Sequence, residues 1–166
     1  MWRALHTSDI WQMWTALGPV AGLEYEQGLV DNSPLVRFLT KTMYEFEKLE
    51  KRISLGAVNV DTGEFTVFDQ TNTYFTDMVQ AAVSSSSIPG VFPPHVWHDG
   101  RGTFMDGGTV YNTNVNSAIL QCLDVVDDES KITIDVFVCD ASDDVPIPED
   151  PKSRTISNIL RSQAIG

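Results

Sequence analysis

The stretch Ala81-Ala82-Val83-Ser84-Ser85-Ser86-Ser87-Ile88-Pro89-Gly90-Val91-Phe92-Pro93-Pro94 leads through Val96-Trp97 and Asp99-Gly100-Arg101-Gly102 to Thr103-Phe104-Met105-Asp106-Gly107-Gly108. The character of the chain changes over 84–94. Three prolines and a glycine within six residues exclude a helix or a central strand there, since proline fixes φ and offers no N–H. An ordered loop and a flexible one both remain open. Val96-Trp97 and Thr103-Phe104-Met105, joined by a turn at 99–102, read as a hairpin. Asp106-Gly107-Gly108 then sets a carboxylate at the C-terminal end of a short apolar strand, the edge where α/β sheets bind ligands. Its two glycines let the backbone turn sharply and approach a neighbouring loop. Asp-Gly is also a common turn dipeptide, so a plain turn is the alternative.

On either side of this block the pattern alternates helix and strand. Residues 53–60 and 65–68 form a hairpin about Asp61-Thr62-Gly63. A short helix is predicted over 75–83. Asn32-Ser33-Pro34 marks a helix start, and Leu35, Phe38, Leu39, Met43, Phe46 and Leu49 line one face of a helix over 34–50. Trp2, Leu5, Ile10, Trp11, Trp14 and Leu17 have the spacing of an amphipathic helix over 1–17, whose tryptophans either pack inward or meet a lipid interface. A loop over 18–31 follows. Downstream come a helix over 116–125, a strand over 132–138, an acidic loop over 140–152 and a last helix from about Ser153. The alternation predicts an α/β layered fold, and 166 residues with 42% hydrophobic content allow one sizeable core.

The charge excludes a class of partner. Eleven Lys and Arg against 23 Asp and Glu give −12, a poor match for a phosphate backbone, so no nucleic acid is expected. Residues 124–150 hold ten of those acids and only Lys131. Cys122 and Cys139 stand in no metal-binding spacing, which favours free thiols. No signal peptide or transmembrane span is visible, so a cytoplasmic or peripherally membrane-associated protein is expected. His6, His95 and His98 lack metal-ligand helical spacing and read as surface histidines; Asp140, Asp143 and Asp144 lack the frame of a calcium loop. No cofactor or metal is expected. The chain contains no Gly-x-Ser-x-Gly, no Gly-x-Gly-x-x-Gly and no Walker loop.

The 81–108 block resembles the patatin-like phospholipase family, whose pattern there is a small-residue segment, a proline, Phe-Pro-Pro, a short hairpin and Asp-Gly-Gly or Asp-Gly-Ala. Asp31-Asn32-Ser33-Pro34-Leu35 and the turn at Asp61-Thr62-Gly63 also look like its middle section, and Asn112 looks like the asparagine that follows the motif. Thr113-Asn114 departs from the family's usual Asn-Pro. The resemblance implies a layered α/β/α fold, here incomplete because the central strands and nucleophile elbow would precede residue 1. The whole chain, 1–166, would be one partial domain. It further implies a lipid acyl hydrolase of phospholipase A or lysophospholipase type, working through a Ser-Asp dyad. Asp106 would be the catalytic base, Gly107 and Gly108 its motif glycines, and a lipid substrate and membrane surface its partners. Ser84 to Ser87 occupy the family's proline loop and do not replace the elbow serine. The alternative is a non-catalytic relative that binds lipid or a protein partner.

Overall fold

The computed structural model of the protein describes residues 6–14, 27–46 and 48–137. The chain divides into two compact units, 1–127 and 128–166. The first is a mixed α/β unit around a four-stranded antiparallel sheet of order β2-β1-β4-β3. Its strands are β1 (Ser54–Asn59), β2 (Phe65–Asp69), β3 (His95–Trp97) and β4 (Gly102–Asp106). Its helices are α1 (Ser33–Tyr44), α2 (Met78–Ser85) and α3 (Val115–Leu123).

Both expected hairpins form. In the β1–β2 turn Gly63 takes φ +72°, which favours glycine. The Asn59 carboxamide oxygen accepts the N–H groups of Asp61 and Thr62, a tie supplied from the strand before the turn. In the β3–β4 turn Gly100 and Gly102 take φ +88° and +115°.

Alternation along the strands sends Ala57, Phe68, Trp97 and Phe104 to one face, where Ala81 of α2 joins them in a buried cluster. Phe68 stacks on Trp97 at 4.9 Å between centroids and meets Phe104 edge-on at 5.2 Å. Such aromatic pairs contribute about 0.5–1.5 kcal/mol each beyond burial. The Trp97 indole N–H donates to the buried Ser84 hydroxyl at 2.9 Å, fixing α2 over the sheet. The Arg101 guanidinium lies 4.5 Å from the Trp97 ring centre and pairs with Asp99 and Asp77. Val58, Phe65 and Met105 point to the other face, where Tyr111 meets Phe65 at 5.8 Å. Gln121 of α3 donates to Asp69 there, and Arg52 bridges to Asp124. Helical segments thus lie against both faces, as a layered fold requires.

Several sequence expectations need correction. The helix read over 34–50 stops at Tyr44. Beyond it Phe46 is exposed, and a helical turn without a buried face has little to sustain it. The start is capped by Asp31, whose carboxylate accepts the Ser33 N–H and hydroxyl, while Asn32 makes no capping bond. Of the helix expected over 1–17, the described part is a 3-10 turn at Thr7–Asp9 followed by a bridge between Gln12 and Asp31. Trp11 and Trp14 are half-buried, and Trp14 donates its indole N–H to Gly28. Trp2, residues 18–26, Cys139, the acidic loop and the last helix lie outside the described residues.

Residues 84 and 85 belong to α2 rather than to the proline loop. That loop is ordered: Leu29 and Val30 donate to the carbonyls of Gly90 and Val91. In the second unit, residues 132–137 form no strand. They find no ladder partner among the described residues, and Val136 and Phe137 stand exposed.

Replacing Trp97 by Ala removes the stack, the bond to Ser84 and the support of Arg101. A loss of about 3–5 kcal/mol is expected, read as a lower urea midpoint. A midpoint within experimental error of the parent would show that the cluster does not hold α2 on the sheet.

Candidate functional site

Asp106 is the last residue of β4. Its neighbour across the ladder is Ala57 of β1. β3 begins opposite Phe104 and does not reach this far. The Asp106 N–H instead donates to the Ser87 carbonyl, just past α2, at 2.9 Å. The chain then enters a 3-10 turn, Gly107–Thr109, with Asp106 as its N-cap. One carboxylate oxygen, Oδ1, accepts the Gly108 N–H at 2.7 Å, and the Thr109 hydroxyl donates to the Asp106 carbonyl at 2.8 Å. Oδ2 has no hydrogen-bond partner among the described residues. The side chain is therefore gripped on one oxygen and open on the other.

The two glycines serve steric ends, for neither adopts a positive φ. A Cβ at the buried Gly107 would stand 2.5 Å from the Gly56 carbonyl oxygen and 3.1 Å from the Ala57 nitrogen. The close approach is thus to strand β1, not to a loop. A Cβ at Gly108 would stand 3.0 Å from Asp106 Oδ1 and 3.3 Å from Asn112 Oδ1. The carboxylate and the Asn112 carboxamide consequently flank one bare backbone position, which places Asn112 beside the motif.

Burial raises the Asp106 carboxyl above its ordinary range, and the Gly108 N–H partly opposes this by stabilising the charged form. The folded state then holds its proton to higher pH than the unfolded chain does. The stabilisation from that proton is complete below the ordinary carboxylate range, about pH 3.9, and is lost as pH rises through the folded-state value.

Ser84, Ser86 and Ser87 nearby are otherwise engaged. Ser84 and Ser87 are fully buried. Ser84 accepts from Trp97, while Ser86 and Ser87 donate their hydroxyls to carbonyls one helical turn back. The two histidines of the hairpin separate: His98 is exposed, but His95 is half-buried, its Nε2 sealed without a partner among the described residues. Burial first, then the charge of His98, lowers the His95 pKa. His95 is thus not the surface group that its sequence context implies. No group of three His, Cys, Asp or Glu residues is assembled for a metal among the described residues. Cys122 is a free, exposed thiol. Among the described residues no helix is long and apolar enough to cross a membrane.

The patatin-like phospholipase family model matches residues 2–119, and the chain belongs to that family. A cGAMP-activated phospholipase of Escherichia coli (strain TW11681) is 32% identical over 93 residues, which cover 51% of this chain and 26% of that protein. The chain thus spans about a quarter of the length of this curated relative. No solved structure matches it.

Two outcomes follow from the geometry at β4. Asp106→Asn keeps an acceptor for Gly108 but no buried charge, so it is expected to be more stable than the parent at pH 7. The gain should vanish as pH falls below about 3.9, in urea titrations at both pH values. A variant less stable at pH 7 would contradict the raised pKa. Gly107→Ala is expected to lower the midpoint at every pH, because the new methyl meets strand backbone; an unchanged midpoint would refute the contact.

Proposed function

We propose that the chain is the base-bearing part of a patatin-like lipid acyl hydrolase, of phospholipase A or lysophospholipase type. In this reading residues 1–166 all belong to one such domain. The observation that carries the proposal is the half-buried Asp106 carboxylate, held on Oδ1 and, among the described residues, without a partner on Oδ2. A solvated aspartate near pKa 3.9 is a feeble base at neutral pH; burial that lifts it makes it a better one.

The hydroxyl is not within these residues, since no Gly-x-Ser-x-Gly occurs in them. With that serine placed at Asp106, its oxygen attacks the ester carbonyl and its proton passes to Oδ2. Backbone amides beside the elbow steady the tetrahedral oxyanion. Collapse expels the lipid alcohol, which takes the proton, and leaves an acyl-serine. Water, deprotonated by the same carboxylate, then frees the fatty acid and restores the serine. The relative's name supports a phospholipid ester as substrate.

In the protein that supplies the elbow serine, Asp106→Asn is expected to lower hydrolysis of a short acyl ester by about 10²–10⁴-fold while the fold persists. Near-normal turnover would remove Asp106 from the chemistry. The 166-residue chain by itself is expected to show no turnover.

A second reading is a natural non-catalytic form that binds lipid or protein. The reading frame upstream of Met1 separates the two. An in-frame Gly-x-Ser-x-Gly supports the hydrolase, and a stop codon directly upstream supports the binding form.

A further inference from the structure

β3 is the shortest strand of the sheet and lies at its edge, with β4 as its neighbour on one side. His95, its first residue, is set directly opposite Phe104, and residues so paired share a face. Trp97, two places on, lies on that face too. This is the side that carries the buried cluster with Ala81 of α2. The His95 ring is half-buried there, and its Nε2 is sealed from solvent with no hydrogen-bond partner among the described residues.

A neutral imidazole tolerates such a place far better than a charged one. When neutral, it can keep its single proton on Nδ1 and leave Nε2 as an unmet acceptor. The cation carries a proton on both nitrogens. From either tautomer, therefore, Nε2 becomes a charged donor with nothing to receive it, and an unmet donor of that kind is costly.

The elements around His95 offer little to balance the charge. α2 and residues 86–94 contain no ionisable side chain. Segment 28–31, which is bonded to that loop, contributes only Asp31, already engaged with Gln12 and Ser33. In the turn, His98 opposes a proton on His95, and Asp99 is paired with Arg101, which also pairs with Asp77. β4 brings Asp106, two residues past Phe104 on the same face. Burial raises that carboxyl, so it surrenders its own charge as the solution turns acid.

We infer that His95 is an acid-sensitive latch on the edge of the sheet: neutral, it lets β3 close against β4, and on taking a proton it releases β3. Release withdraws Trp97 from Ser84 and so loosens the end of α2, whose following residue, Ser87, receives the Asp106 amide. The consequence for hydrolysis rests on the lipid-hydrolase reading; the latch itself does not. Burial first, then the His98 charge, lowers the closed-state pKa of His95 beneath the ordinary 6.5. The released strand binds the proton at about that ordinary value. Closure is thus fully held above about pH 6.5 and is lost as pH falls through the closed-state value.

The test is amide hydrogen exchange of the 166-residue chain from about pH 7.5 down to about 5, corrected for the intrinsic rate, with the histidine rings followed by NMR. His6→Asn and His98→Asn, both at exposed positions, assign the ring signals. His95 is expected to titrate below 6.5. Protection over 95–104 should fall by up to about tenfold per pH unit beneath that value, the most that one proton can drive, while β1 and β2 lose less. The fall should vanish in His95→Asn. It should persist in Asp106→Asn, so failure of the hydrolase reading would leave this result intact. A His95 that titrates at 6.5 or above overturns the inference in the parent protein alone. Protection that ignores pH, an equal loss across all four strands, or an equal loss in His95→Asn would each overturn it as well.

Discussion

The indole of Trp97 does more to organise the first unit than any other side chain. It is 2% exposed, stacked on Phe68, met by Phe104, covered by Arg101 and bonded to Ser84. Its single donor would be costly if left unmet in that interior, and Ser84 meets it from the helix above. This bond sets where α2 lies on the sheet. The end of α2 sets the Ser87 carbonyl, and that carbonyl receives the Asp106 amide. A core contact and the carboxylate of the motif are therefore two ends of one short mechanical chain.

The carboxylate itself is poised by opposing forces. Burial disfavours its charge, and one N–H from Gly108 partly restores it. A fully solvated aspartate accepts a proton poorly at neutral pH, and one that is already protonated cannot accept another. Half-burial, with Oδ2 unbonded among the described residues, lies between these limits. It comes at some expense in stability. Membership of the patatin-like phospholipases and this environment at Asp106 are independent observations, one from sequence statistics and one from local geometry.

Much of the fold was readable because local chemistry and tertiary outcome agreed. The two hairpins are written in Thr62-Gly63 and Gly100-Arg101-Gly102, where positive φ is needed. The Asp-Gly-Gly block was readable as a family signature. The reason for its glycines was not, since only the coordinates bring Gly56 against Gly107. Where burial decides, periodicity misled. Phe46 and Leu49 continue the stripe of α1, yet no surface comes to cover Phe46. The run Ile132-Thr133-Ile134-Asp135-Val136-Phe137 has strand composition, but a ladder needs a partner that sequence alone cannot supply. His95 looked like a surface group because its neighbours in sequence are polar or proline; the register that sets it opposite Phe104 is a long-range fact.

The anchorage of Asp106 to Ser87 runs from main chain to main chain. Any amino acid at position 87 offers the same carbonyl, and any except proline at 106 offers the same amide. The placement of the motif's acid is thus insured against drift in the residues that secure it. Comparative searches for covarying companions of this acid would pass over this attachment, which leaves no imprint in side-chain identity.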